Sequence, residues 1–143
     1  MGNPKSQKVV VISARAHPGE TVGSFMMEGF LKELISNSKY SNYLREAFLF
    51  KIVPMINIDG VVNGNYRFSG AGFDLNRKWK KCNEKIHPEV FHLKELIKNT
   101  NKEKEVIMYI DLHGHSRQKN VFFYGCSPKG SLDKEGKPNT KPR

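Results

Sequence analysis

The sequence predicts an α/β fold, a mostly parallel sheet with helices on its faces, and three observations carry that prediction. Val9, Val10, Val11 and Ile12 form a continuous β-branched run, the pattern of a strand covered on both faces. A second apolar run, Val106-Ile-Met-Tyr-Ile110, reads as another strand. Between them lie segments whose apolar residues recur at helical spacing, and strands alternating with helices favour parallel pairing.

Taken in order, Lys8 to Ala14 is the first predicted strand. From Glu20 to about Ser36, Val22, Phe25, Met26, Phe30 and Leu34 mark a helix buried over much of its circumference, which Ser36-Asn-Ser then ends. Ala47 to Ile56 reads as a strand, with Pro54 pointing to a sheet edge or a strand end. Residues 57–83, with Gly60, Gly64, Gly70 and Gly72 among polar and basic neighbours, read as a long loop, and loops of this length usually carry function or stay disordered. After the break at His87-Pro88, Val90, Leu93, Leu96 and Ile97 mark a second helix to about Thr100. Glu105 to Leu112 is the third predicted strand and Val121 to Cys126 the fourth. Ser127 to Arg143, rich in Lys, Gly and Pro with one Leu, cannot bury a core and is expected to be disordered.

At 143 residues the chain can build one domain with a core but is short for an α/β hydrolase. Lys and Arg outnumber Asp and Glu by 24 to 14, a formal charge of +10 that should attract acidic partners. No aromatic-basic recognition motif supports nucleic acid as that partner. Cys82 and Cys126 are too few for a disulfide framework and are expected to be free and reduced. The start carries no apolar signal segment, although Gly2 with Ser6 fits the loose myristoylation pattern, and no run approaches membrane-spanning length. A soluble, cytosolic chain with no membrane partner is the expectation.

His17 and Glu20, three positions apart after the first strand, and His113 at the end of the third offer two imidazoles and a carboxylate. On Zn²⁺ that set leaves a fourth position for water, as in catalytic rather than structural sites. Spacing alone is weak evidence, since Glu20 could equally be a carboxylate favoured at a helix start. Position strengthens it, because ligands in parallel α/β sheets bind outside the carboxyl ends of the strands. Alternation places Asp111 and His113 on one strand face, with Gly114 leaving room for metal or substrate. His115 reads as a supporting or surface residue, and His87 and His92 as solvent histidines. Metal-ligating histidines donate their other N–H to a carboxylate, and Asp74 is the loop acid best placed to do so for His17. Arg67, Asn76 and Arg77 form a polar, cationic set in the same loop, suited to holding a carboxylate through two parallel hydrogen bonds. For Arg77, beside Lys78, Lys80 and Lys81, the alternative is an exposed basic loop residue.

The segments His17-Pro-Gly-Glu-Thr21, Ser24-Phe-Met-Met-Glu-Gly-Phe30, Phe50-Lys-Ile-Val-Pro-Met55, Gly64-Asn-Tyr-Arg67, Asp74-Leu-Asn-Arg77 and Asp111-Leu-His-Gly-His-Ser116 together resemble the cytosolic carboxypeptidases. These are the zinc metallocarboxypeptidases that remove glutamates from tubulin and other acidic tails. The resemblance runs from about Lys8 to Cys126, and Asn120 to Cys126 is more similar to members that shorten polyglutamate chains than to those that cut branch points. It implies a three-layer α/β/α domain with a mixed, mostly parallel sheet, of which residues 1–126 would be the amino-terminal half and 127–143 a tail or truncated insertion. It further implies Zn²⁺ bound by His17, Glu20 and His113, and Arg67 polarising the scissile carbonyl and stabilising its oxyanion. Asn76 and Arg77 would hold the substrate's terminal carboxylate, with Asp74 supporting His17. The implied setting is cytoplasmic, at microtubules or axonemes, with acidic protein tails as partners.

Two departures from the family pattern stand out. Asn57-Ile-Asp-Gly60 replaces the usual Asn-Pro-Asp-Gly, which relaxes a turn without touching a ligand. The family's general-base glutamate and substrate-closing tyrosine lie in a later segment than this sequence reaches, and its amino-terminal β-sandwich is also missing. The expectation is therefore a polypeptide that binds zinc weakly and turns over nothing. Competing readings are an N-acyl amino acid acylase of the same superfamily and a non-catalytic remnant that still binds zinc or acidic tails.

Overall fold

The structure is a computed structural model that describes residues 7–125. Strand β1 (Lys8–Ala14) leads to helix α1 (Val22–Leu34), helix α2 (Lys39–Ala47) and strand β2 (Phe48–Val53). A short helix α3 (Ile58–Val62) and a 3-10 turn (Leu75–Arg77) interrupt the long connection to helix α4 (Pro88–Glu103), which feeds strand β3 (Val106–Leu112). The sheet order is β2-β1-β3 with both pairings parallel.

Central placement explains the composition of β1. Val9 and Val11 face one side, where they join Ala16, Ile56 and Leu93 of α4; Val10, Ile12 and Ala14 face the other, against Met27 of α1. A strand with a helix on each face has no wet side, so both sets of alternating residues are apolar. This is the expected α/β/α layering. At about 1.5–3 kcal/mol for each fully buried aliphatic side chain, β1 is the most strongly anchored segment of the fold.

Several expectations need correction. Helix α1 buries only Gly23, Met27 and Leu34, while Phe25 is 70% exposed, so one narrow stripe rather than most of its circumference meets the sheet. Gly23 belongs to that stripe because a Cβ there would lie 2.7 Å from the Leu112 carbonyl oxygen. Helix α2 carries no core periodicity in the sequence, and its single buried residue is Ser41. It forms because Ser38 caps it through the Ser41 N–H and Arg45 reaches back to the carbonyls of Leu34 and Ser36 at the end of α1. The predicted fourth strand is absent: residues 121–125 are not strand, and Cys126 lies outside the described residues. Phe122 instead meets the His115 ring edge-on and Tyr124 meets it at a tilt. The 127–143 segment also lies outside the described residues.

Other expectations hold. Strand β2 ends before Pro54 at an edge of the sheet, satisfying both readings of that proline. The 57–83 connection is mostly loop, pinned at its start by Asn57, which is fully buried and donates to the Ala16 carbonyl at 2.9 Å. No described helix is long and apolar enough to cross a membrane.

Candidate functional site

The site forms where β1 and β3 end side by side. Beyond Ala14 the chain turns through Arg15, whose left-handed φ of 63° redirects the backbone. The Arg15 side chain then holds the turn, donating to the Pro18 carbonyl at 2.6 Å and to Ser24 Oγ at 2.7 Å. Gly19 completes it by donating its N–H to the Tyr66 carbonyl at 2.7 Å, an approach so close that a Cβ would meet the Tyr66 ring at 2.5 Å. This turn places His17 and Glu20 facing the end of β3.

His17 is 5% exposed, with both ring nitrogens engaged. Nδ1 lies 2.8 Å from Glu20 Oε1 and 2.8 Å from His113 Nε2, and His113 Nε2 lies 3.4 Å from Glu20 Oε2. One ligand atom from each residue falls within 4.8 Å of the others. Two imidazole nitrogens and a carboxylate oxygen crowding one point match the nitrogen and oxygen donors that zinc prefers. The opposite nitrogen of His17, Nε2, donates to Asp74 Oδ1 at 3.0 Å, which leaves Nδ1 as the acceptor facing the cluster.

Asp74 joins the two halves of the site. Its Oδ2 accepts from Arg67 Nη2 at 2.7 Å and Nε at 2.8 Å, while Oδ1 also accepts from the Asn76 backbone N–H at 3.0 Å. Burial pushes the Asp74 carboxyl up, but the hydrogen bonds and charges of His17 and Arg67 outweigh it and hold the group below its ordinary value. Asn76 reaches inward, its Nδ2 lying 3.3 Å from His113 Nε2 and 3.4 Å from Asp111 Oδ2. Arg77 is exposed and makes only a 3.4 Å contact from Nη1 to the Asn76 carbonyl. The structure therefore gathers His17, Glu20, His113, Asp74, Arg67 and Asn76 into one network, with Arg77 at its rim.

Four residues of this network had no assigned role in the sequence reading. Asp111 Oδ2 lies 3.2 Å from His113 Nδ1, and Ser13 Oγ donates to Asp111 Oδ1 at 3.3 Å while sharing a 2.8 Å bond with the Tyr109 hydroxyl. The Asp111 hydrogen bond raises the His113 pKa, against the opposing effect of burial. Burial and the Asp111 charge together push the Tyr109 phenol up. The parallel register sets Ser13 opposite Asp111, and beyond the exposed Lys8 Ser13 is the one polar residue in the strand. That interruption was a readable signal. Trp79 is the fourth, its indole donating to Asn76 Oδ1 at 3.0 Å. His87, expected in solvent, is 7% exposed, its ring edge-on to Phe73 and its Nδ1 accepting from the Asn83 N–H, because the loop folds over the start of α4. His92 and His115 are exposed as expected.

A two-histidine, one-carboxylate cluster at the carboxyl ends of parallel strands in an α/β/α layer is the arrangement of an α/β metallohydrolase. The chain belongs to the zinc carboxypeptidase family, whose profile matches residues 2–141. It is 51% identical over 124 residues to cytosolic carboxypeptidase 2 of Xenopus tropicalis, covering 87% of this chain and 13% of that protein. With cytosolic carboxypeptidase 1 of Mus musculus the identity is 50% over 129 residues, covering 90% and 11%. The chain thus spans about an eighth of the length of these relatives. Among solved structures, a metallo-carboxypeptidase from Burkholderia cenocepacia superposes with a TM-score of 0.72 at 34% identity, over 80% of this chain and 31% of that one. A metallo-carboxypeptidase from Pseudomonas aeruginosa, in complex with (2-guanidinoethylmercapto)succinic acid, gives 0.71 at 32% identity over 79% and 29%.

Proposed function

We propose that this chain carries the metal-binding and carboxylate-binding half of a zinc carboxypeptidase that removes C-terminal glutamates from acidic protein tails of the tubulin type. The observation that carries the proposal is the single network in which His17, Glu20 and His113 converge while Asp74 ties His17 to Arg67. His17, Glu20 and His113 would hold Zn²⁺, which in such sites acidifies water and polarises a carbonyl. Asp74 keeps the His17 tautomer that presents Nδ1 to the ion. Arg67, about one-third exposed and anchored by Asp74, offers its remaining N–H groups to the oxyanion that develops from the scissile carbonyl. Asn76 and Arg77 receive the terminal carboxylate.

A preference for glutamate is supported by charge. Arg77, Lys78, Lys80, Lys81 and Lys85 lie within nine residues beside one acid, Glu84. By the same reading the protein works in the cytoplasm, as the names of its cytosolic relatives suggest, and tubulin-type tails would bring it to microtubules or axonemes.

Among the described residues, Glu20 is committed to the metal-capable cluster and Asp74 and Asp111 are each engaged with a histidine, so none of these three carboxylates is free to take a proton from water. Proton transfer by a positioned group is worth roughly 10²–10⁴-fold, so this chain alone should bind zinc and release no glutamate. Calorimetric titration of purified residues 1–143 with Zn²⁺, followed by a glutamate-release assay on an oligoglutamate peptide, tests both halves. Failure to bind zinc would remove the metal assignment, and clear glutamate release would overturn the inactivity.

A further inference from the structure

We infer that Trp79 is a positioning residue that fixes which end of the Asn76 amide faces the site, and thereby makes the site select a free terminal carboxylate over an amide. This rests on the proposed role of Asn76 as a carboxylate ligand. An asparagine side chain is an acceptor at Oδ1 and a donor at Nδ2, with nearly the same shape either way round, so only its partners decide its orientation. The indole N–H can only donate, and Trp79 Nε1 lies 3.0 Å from Asn76 Oδ1. Oδ1 is therefore turned away and Nδ2 is turned toward His113 and Asp111. Both of its contacts there are long, 3.3 and 3.4 Å, so the Nδ2 hydrogens remain available to a better acceptor. A carboxylate oxygen is that acceptor. The NH₂ of an amidated terminus would meet them donor to donor.

Trp79 itself is held from three directions. Its ring packs at a tilt on Tyr109 with centroids 5.4 Å apart, and its carbonyl accepts from Lys94 Nζ of α4 at 2.5 Å. The indole also lies against the buried cluster of Val9, Val11 and Leu93. Tyr109 in turn bonds Ser13, which is fully buried in β1. The orientation of Asn76 is thus referred through Trp79 to the central strand, while its own 3-10 turn lies in a loop. Neighbouring Arg77 has no such anchor.

The test measures binding by the zinc-loaded 143-residue chain, with N-acetyl-glutamyl-glutamate and its C-terminal amide as probes. Trp79 is replaced by β-(3-benzothienyl)alanine, which keeps the shape and removes the N–H, and in a second variant by Phe. The free acid should bind about 5–10-fold more weakly to either, the effect of one neutral hydrogen bond. Affinity for the amide and for Zn²⁺ should stay the same. In an Asn76→Ala background the Trp79 replacements should have no additional effect, a non-additivity that a general loss of packing would not produce. If Asn76→Ala weakens the acid but removal of the indole N–H does not, the inference is overturned while the carboxylate role of Asn76 stands. If Asn76→Ala changes nothing, or the unsubstituted chain binds neither probe at millimolar concentration, both fail.

Discussion

Two polar networks in this molecule use the same residue types to opposite ends. At the junction of α1 and α2, Glu33 accepts from Ser36, Ser38 and Ser41, Ser41 also donates to the Glu33 carbonyl, and Arg45 donates to the carbonyls of Leu34 and Ser36. At the ends of β1 and β3, carboxylates likewise accept from several donors, yet the network does not close on itself. Ring nitrogens of His17 and His113 and a carboxylate oxygen of Glu20 are turned toward one another, and among the described residues the guanidinium of Arg77 reaches only one neighbouring carbonyl. Buried polar groups are normally satisfied within the protein. A closed network therefore reads as architecture, and one that aims metal-ligating atoms at a common point reads as a metal-capable site.

Substitutions should separate the two networks by what they change. The largest effect is expected from His17→Ala, which removes a ligand and should abolish zinc binding in a calorimetric titration while leaving the α1–α2 junction intact. Asp74→Asn should lower zinc affinity by about 10–100-fold, since it unseats the His17 tautomer without removing a ligand. An unchanged affinity would mean that Asp74 serves only Arg67. On the other side, Ser41→Ala should lower the urea-unfolding midpoint by removing the buried hydroxyl that donates to the Glu33 carbonyl, with zinc affinity unaltered.

The smallest effect is one of pH. Hydrogen bonds from Ser38 and Ser41, opposed by slight desolvation and aided by Ser36, lower the Glu33 pKa from its ordinary 4.5. A depressed folded-state pKa means that the stabilisation is complete above the unfolded value and fades as pH falls through the folded one. The urea midpoint should therefore drop as pH is lowered from about 4.5, and Glu33→Gln should flatten part of that slope. Equal slopes in the two proteins would show that the junction gains nothing from the charge.

How much could be read beforehand followed from how local each signal was. Strand β1 and helix α4 were legible because their hydrophobic periods reflect the burial they achieve, β3 because of its continuous apolar run, and the metal trio because His17, Glu20 and His113 sit at strand ends. Helix α2 was missed because a cap and an arginine bonded to another helix hold it, and neither leaves a periodic trace. His87 was misplaced because proximity to Pro88 says nothing about the Phe73 ring that covers it.

By itself, then, the sequence determined a mostly parallel sheet with helices on its faces, the central apolar strand and the identities of the metal-capable residues, since these depend on residue type and short-range period. Only the tertiary structure decided how those residues are oriented. Parallel register sets Ser13 beside Asp111, Asp74 spans His17 and Arg67, and Trp79 turns the amide of Asn76. Hydrogen bonds are directional and join residues far apart in the chain, so no local pattern encodes them.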